Sequence, residues 1–136
     1  MRMAATATSS TLAAMAALHV GWGFGTSFPF SDRARLADSV AGTTDVPGRR
    51  ECFTVAALLA GAAGLVADVI PVDGTLRRTG TVGVALVLAG RGAAGLTGNT
   101  GSIVPWTPSA HFVELDKRYY GPLCLLLAVG ALLAAR

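Results

Sequence analysis

The sequence predicts an all-α membrane protein built as a four-transmembrane-helix bundle, with short interfacial helices in the first and third connections. The first observation is composition, because 52% of the residues are hydrophobic and only 14% are charged. The second is length, because a hydrocarbon core of roughly 30 Å needs about 20 mostly apolar helical residues. The segments that approach this length are Thr11–Phe28, Cys52–Ile70, Thr79–Leu96 and Tyr119–Ala135. They occupy most of the chain, so residues 1–136 are predicted to form a single four-helix transmembrane domain.

Other classes of protein fit these segments poorly. A soluble domain would have to bury four almost uncharged helices that show hardly any amphipathic pattern. A cleaved signal peptide is the alternative for the first segment, because Arg2 precedes its apolar run. However, no convincing small-x-small cleavage site follows, and the run continues into a Gly-Trp-Gly-Phe-Gly stretch at residues 21–25. We therefore expect the first segment to be a membrane span.

Capping and helix-breaking residues set the expected limits of the first two helices. Thr11 or the serine before it can cap the first span, and Pro29 ends that span. A Ser-Asp pair then opens a short helix over Asp32–Val40, which has one apolar edge and stops at Gly42. We expect this short helix to lie in the membrane interface.

Proline also marks the later helices. Pro47 occupies a good first-turn position, so the second span is expected to begin before its apolar core, and Pro71 closes it. The second connection is tight, and Asp68 is expected to pair there with Arg77 or Arg78. The last helix is expected to start at Pro108, to run partly along the interface and to bend near Pro122.

The aromatic residues are unevenly distributed along the chain. In a four-span protein the first and third connections face one side of the bilayer, whereas both termini and the second connection face the other. Membrane proteins usually carry aromatic belts at both interfaces, yet here every aromatic residue lies near the first or third connection, so we expect recognition or chemistry on that side. These residues are Trp22, Phe24, Phe28, Phe30, Phe53, Trp106, Phe112, Tyr119 and Tyr120.

The formal net charge of +3 does not require a nucleic-acid partner. Arginines at helix ends contact anionic lipid head groups and set orientation, so membrane lipids are the expected partners. The first and third connections carry six basic residues (Arg33, Arg35, Arg49, Arg50, Lys117 and Arg118), against four on the other side (Arg2, Arg77, Arg78 and Arg136). This excess predicts a multi-pass protein of the cell membrane whose first and third connections are cytoplasmic.

Arg91 is the candidate site residue with the strongest physical argument. It lies about 19 Å along its helix from Arg78, well inside the membrane, where an ionisable side chain is costly and points to function. Snorkelling to the head groups is the alternative. Flanking glycines leave room for an inward guanidinium, whose candidate partners are Glu114, Asp116, Tyr119, Tyr120 and the carbonyls of the third connection.

His19 and Trp22 are the next candidates. They lie one turn apart on one helix face, and we expect them to line the floor of the same pocket as Arg91. The alternative is a packed, neutral histidine that bonds a neighbouring helix. The only other histidine is His111, and neither belongs to a spaced ligand motif, so no metal is predicted.

Cysteines and small residues have simpler explanations. Cys52 and Cys124 form no C-x-x-C motif and are expected to be free, buried thiols. Small residues recur four apart at Gly21 and Gly25, at Ala57 and Gly61, and at Ala60 and Gly64. Such spacing allows close helix packing, either within the bundle, which we favour, or against a second copy or a partner subunit.

The sequence resembles an uncharacterised domain-of-unknown-function family of small multi-pass bacterial membrane proteins. The resemblance is carried by His19-x-x-Trp22-Gly23-x-Gly25, Pro29, Gly42, Pro47, Cys52-x-x-Val55-Ala56, Arg91-Gly92, Leu115-Asp116 and Tyr120-x-Pro122-Leu123-Cys124. Phe28-Pro29 departs from the Trp-Pro that members tend to have. The family supplies no activity, so the resemblance implies an architecture and a choice of residues.

Two functional hypotheses follow. In the first, the protein binds a lipid or small apolar ligand, or docks a partner membrane subunit or a second copy, through an aromatic-lined pocket. The expected binding residues are His19, Trp22, Arg91, Asp116, Tyr119 and Tyr120. In the second, it is a small membrane enzyme or proton-linked carrier that uses His19, Arg91 and Asp116. No recognisable catalytic set or cofactor motif is present, which favours the first hypothesis.

Overall fold

The computed structural model describes residues 1–136 and is entirely helical, without a β-strand. Its α-helices are α1 (Arg2–Gly23), α2 (Arg33–Val40), α3 (Arg49–Ala67), α4 (Gly74–Leu96), α5 (Ala110–Leu115) and α6 (Gly121–Ala134). A 3₁₀ turn at Thr100–Ser102 precedes α5, and a π-helical turn at Asp116–Tyr120 joins α5 to α6. The all-α prediction is therefore confirmed.

Several helix limits differ from the predicted spans for local reasons. Helix α1 begins at Arg2 rather than at Thr11, and hydroxyl groups in its first half bond carbonyls of the same helix, for example Thr11 Oγ1 to the Ala7 oxygen at 2.8 Å. Helix α4 begins at Gly74 because the Asp73 carboxylate caps it, accepting from the Thr75 and Leu76 amides at 3.0 Å.

The first and third connections meet at one end of the molecule, which we call the connection end. The Ser109 amide donates to the Gly42 oxygen at 3.0 Å, and Trp106 Nε1 donates to the Ala41 oxygen at 2.8 Å. Gly42 has φ +70°, and a Cβ there would lie 2.8 Å from the Ser109 nitrogen, so only glycine fits this contact.

The second connection lies at the opposite end with both chain termini, and we call this the terminal end. Arg2, Asp68 and Leu133 line one cavity there. The expected pairing of Asp68 is confirmed, because Arg77 Nε lies 3.1 Å from Asp68 Oδ1. The first and third connections therefore lie at one end of the molecule, and the second connection and both termini lie at the other.

Two hydrophobic clusters stabilise the helices. Helix α1 packs chiefly against α3, and α4 packs chiefly against α6. The main cluster lies between these pairs and consists of Leu12, Ala63, Val66, Ala85, Leu127 and Ala131. Near the connection end, Leu36 of α2 is fully buried against Trp22 and Cys52. Helix α2 therefore closes this end of the molecule.

Charged side chains also hold the first connection in place. Asp32 caps α2 by accepting from the Arg35 amide at 2.8 Å, and this hydrogen bond is the main reason that the pKa of Asp32 lies below its usual value. Arg33 Nη1 donates to the Thr26 oxygen at 2.8 Å and to the Trp22 oxygen at 3.3 Å. These bonds tie the start of α2 to the last turn of α1 and to the segment that follows it.

The expected packing role of the small residues falls on different glycines. A Cβ at Gly25 or Gly61 would have no neighbour within 4 Å, and Ala57 and Ala60 are exposed. Close contact between helices occurs instead at Gly92, Gly95, Gly121 and Gly130. The spacing of small residues therefore predicted close contact between helices, but not the positions at which it occurs.

Two helices, α3 and α4, are long and apolar enough to cross a membrane, where the sequence predicted four spans. Helix α1 differs because its first half is rich in serine and threonine, and α6 has only 14 residues after the π-helical turn. Only 22% of the span in α3 or α4 is buried in the molecule, so neither resembles the core helix of a soluble protein.

Candidate functional site

Arg91 forms an ion pair with Asp116. Arg91 Nη1 lies 2.9 Å from Asp116 Oδ1 and 3.2 Å from Oδ2. The Asp116 side chain is 1% exposed and the Arg91 side chain is 29% exposed. The expectation that Arg91 meets a polar partner in the molecule is therefore confirmed.

A third residue completes the surroundings of the carboxylate. Thr100, which is buried in the 3₁₀ turn of the third connection, donates its hydroxyl proton to Asp116 Oδ2. A buried carboxylate is tolerated only when a cation and hydrogen-bond donors replace the water it has lost. No fully buried side-chain nitrogen or oxygen in the chain lacks a partner, so the desolvation of Asp116 is compensated within the protein.

Glycines let the two helices approach closely enough for the ion pair. A Cβ at Gly95 would meet the Asp116 carboxylate and would lie 2.9 Å from Arg91 Nη1. One at Gly92 would lie 2.7 Å from Leu125 Cγ, and one at Gly121 would lie 2.6 Å from the Leu96 nitrogen. The site therefore forms where α4 and α6 cross with their backbones almost in contact.

The π-helical turn determines which way the ionisable side chains point. Asp116 opens the turn and faces α4, whereas Tyr120 closes it and donates its phenol proton to the Ser39 oxygen of α2 at 2.7 Å. Insertions of this kind within helices are frequent at functional sites. The turn thus connects the ion pair to the segment that closes the connection end.

His19 and Trp22 belong to a different part of the molecule. His19 Nδ1 lies 2.7 Å from the Met15 oxygen of its own helix, and its ring centroid is 4.7 Å from that of Trp22. Trp22 Nε1 donates to the Phe28 oxygen at 2.7 Å. No hydrogen bond, ion pair or aromatic contact joins either residue to Arg91 or Asp116. The contacts of His19 and Trp22 therefore do not bring them to the ion pair, and the histidine bonds its own helix rather than a neighbouring one.

Tyr119 lies outside the ion pair. Its ring is exposed, and the Arg118 guanidinium carbon is 5.4 Å from the ring centroid. Of the predicted site residues, the structure therefore joins Arg91, Asp116 and Tyr120 through one turn. It leaves Tyr119 on the surface and separates His19 and Trp22.

Sequence reasoning missed several residues that complete the site. Thr100 and Ser39 are ordinary polar residues in connections and carry no local signal. Ser109 Oγ donates to Asp38 Oδ1 at 2.5 Å and helps to hold α2 against α5. Gly95 had a usable signal, because it lies one turn after Arg91 and therefore on the same helix face.

The thiols and the histidines suggest no further chemistry at this site. Cys52 and Cys124 are free and buried. No three histidine, cysteine, aspartate or glutamate side chains come together in an arrangement that could hold a metal ion. The site can therefore present one edge of the Arg91 guanidinium to a ligand, while the buried Asp116 carboxylate holds the other edge.

We expect Gly95→Ala to destabilise the protein and Gly90→Ala to leave it unchanged or slightly more stable. Both glycines lie in α4, but a Cβ at Gly95 would meet the ion pair, whereas a Cβ at Gly90 has no neighbour within 4 Å. Overpacking of this kind costs about 1–3 kcal/mol, while alanine favours a helix over glycine by up to about 1 kcal/mol. Reversible unfolding in mixed micelles measures both, and equal effects of the two changes would contradict the close crossing.

Comparison with known proteins agrees with the resemblance noted in the sequence. Residues 12–131 match the model of a family described as "Protein of unknown function (DUF3995)". No curated protein and no solved structure gives a match. Since the family model covers most of the chain, the protein belongs to the DUF3995 family.

Proposed function

We propose that this protein is an integral membrane protein that crosses the bilayer four times and holds the phosphate head group of a membrane lipid at Arg91. The observation that carries the proposal is the uneven burial of the ion pair. The Asp116 side chain is 1% exposed and the Arg91 side chain is 29% exposed. The carboxylate is therefore buried, and the guanidinium faces the surroundings of the protein.

The outward faces of the helices support insertion in a membrane. Large apolar side chains point away from the molecule along three helices, namely Leu58 of α3, Leu86 and Val87 of α4, and Leu126, Val129 and Leu132 of α6. Water disfavours such surfaces, whereas lipid chains accept them.

The two remaining crossings are supported by length and by hydrogen bonding. The C-terminal segment is helical from Ala110 through the π-helical turn to Ala134, which corresponds to about 37 Å. Helix α1 corresponds to about 33 Å. Polar groups can lie in lipid when the protein satisfies them, and Ser9 and Thr11 in α1 both bond carbonyls of their own helix.

The connection end has the composition of a membrane interface. Phe24, Phe28, Trp106 and Tyr119 are exposed there, and amphipathic aromatic rings favour the level of the head groups. The excess of basic residues in the first and third connections favours a cytoplasmic location for this end.

Arg91 is placed and equipped to meet a lipid phosphate. Its Nη1 bonds Asp116, whereas Nε and Nη2 have no acceptor in the protein. Because no fully buried side-chain nitrogen lacks a partner, these two nitrogens reach the surface. Arg91 lies about 8 Å before the end of α4 at Leu96, and a long arginine side chain can carry its guanidinium from there toward the head groups at the connection end. A planar guanidinium edge suits two phosphate oxygens.

The other hypotheses receive less support from the geometry. One cavity lies at the terminal end and a second lies beside Arg33 and Val46, and neither is lined by aromatic residues. A proton-linked carrier would use His19 and Asp116 together, and no protein group bonds both side chains. A partner subunit or a second copy would compete with lipid for the same exposed edge of Arg91.

The four-crossing topology predicts how single cysteine probes react in intact cells. In a variant with Cys52→Ala and Cys124→Ala, we expect cysteines at positions 44 and 102 to react from one side of the membrane and a cysteine at position 73 from the other. Thr44, Ser102 and Asp73 are exposed, so the test does not depend on unfolding. Reaction of all three positions from the same side would contradict the topology.

The lipid proposal predicts the result of native mass spectrometry on protein released from bilayer discs that contain equal amounts of phosphatidylglycerol and phosphatidylcholine. We expect the parent to retain phosphatidylglycerol and the double variant Arg91→Gln/Asp116→Asn to retain about tenfold less, because a charge-assisted hydrogen bond is worth about 1.5–3 kcal/mol. The double change keeps a neutral hydrogen-bonding pair and leaves no buried charge unpaired.

Arg118→Gln is the matched control, because it removes one exposed positive charge from the same end. We expect it to change retention little. Equal loss in the control and in the double variant would mean that overall charge, rather than Arg91, selects the lipid. Unchanged retention in the double variant would also overturn the proposal.

A further inference from the structure

A cavity of about 520 Å³ opens at the terminal end, away from Arg91. The starts of α1 and α4 and the ends of α3 and α6 surround it. Its volume falls within the range of roughly 300–1,000 Å³ that is typical of small-molecule sites. The proposed function makes no use of this cavity.

One wall of the cavity is cationic. Arg77 is half-buried in this wall and uses Nε to bond Asp68 Oδ1 at 3.1 Å, which leaves Nη1 and Nη2 without an acceptor in the protein. Arg2 of α1 also lines the cavity and takes part in no ion pair, and the Thr6 hydroxyl, one turn later in the same helix, makes no hydrogen bond in the protein. Several donors therefore converge with only the Asp68 carboxylate to oppose them.

The floor of the cavity is apolar. It is formed by Val66, Leu133 and Ala134, with Ala5 at its side. Val66 belongs to the main hydrophobic cluster, and Ala5 and Ala134 pack against that cluster. An apolar group that enters the cavity would therefore extend the core, while a polar group attached to it would remain among the arginines.

We propose that this cavity binds a single-chain amphiphile with an anionic head group, whose head lies between Arg2 and Arg77 and whose chain lies on Val66 and Leu133. The cationic wall selects the charge of the head. The apolar floor requires a chain, and a cavity of about 520 Å³ has room for one chain rather than two beside the head group. The site is independent of Arg91, so either proposal can fail while the other stands.

Native mass spectrometry of the detergent-solubilised full chain tests this site with three probes. Dodecyl phosphate has the required head and chain, dodecylphosphocholine has the same chain with a zwitterionic head, and inorganic phosphate has no chain. We expect one dodecyl phosphate to bind each protein at concentrations at which neither of the other probes binds. Equal binding of dodecylphosphocholine, or displacement of dodecyl phosphate by an equal concentration of inorganic phosphate, would overturn the proposal.

Substitutions in the wall are expected to change affinity in opposite directions. Arg77→Gln should weaken dodecyl phosphate binding about tenfold. Asp68→Asn should strengthen it, because it removes the carboxylate that competes for Arg77. Asparagine also tolerates the left-handed backbone of this residue, which has φ 59°. Arg78→Gln is the matched control, since Arg78 neighbours Arg77 but does not line the cavity.

A further variant narrows the cavity without altering its charge. Ala67 is exposed and lines the cavity, so Ala67→Leu should obstruct the chain and weaken binding while leaving the helices packed. Equal effects of Arg77→Gln and Arg78→Gln, or normal binding to Ala67→Leu, would show that the amphiphile is held elsewhere. The Arg91→Gln/Asp116→Asn variant should bind dodecyl phosphate like the parent, which separates this site from the lipid site at Arg91.

Discussion

The buried carboxylate of Asp116 is the constraint on which the rest of the connection end depends. Removing a carboxylate from water costs several kcal/mol, and a buried ion pair recovers this only with good geometry and additional hydrogen bonds. Arg91 and Thr100 supply them. For Arg91 to reach this carboxylate from α4, position 95 must lack a side chain. For Thr100 to reach Asp116 Oδ2, the third connection must fold back toward α4.

The same carboxylate also determines the shape of the C-terminal segment. The π-helical turn that Asp116 opens ends at Tyr120, which bonds the backbone of α2. Helix α2 in turn buries Leu36 between α1 and α3. One continuous set of contacts thus runs from α4 through the ion pair and the π-helical turn to the helix pair on the other side. Lipid bound at Arg91 would act on one end of this set.

Much of this arrangement could be predicted from the sequence, for identifiable reasons. A charged side chain in an apolar segment requires a partner. The cost of burying that charge therefore singled out Arg91, together with a set of candidate partners that included Asp116. The π-helical turn could not be predicted, because one inserted residue leaves no mark on composition or periodicity. The contacts of His19 and Trp22 could not be predicted, because position along a helix gives depth in the membrane and does not say which helix lies beside it. The apolar pattern also hid the start of α1, where hydroxyl groups bond their own helix.

The double-mutant cycle between Arg91→Met and Asp116→Asn, measured by reversible unfolding in mixed micelles, tests the central role of the ion pair most directly. Arg91→Met alone should cost about 3–5 kcal/mol, because it leaves a buried carboxylate without its cation. The double variant should be more stable than Arg91→Met alone, with a coupling free energy of about 2 kcal/mol or more. Single effects that add to within about 0.5 kcal/mol would contradict the account.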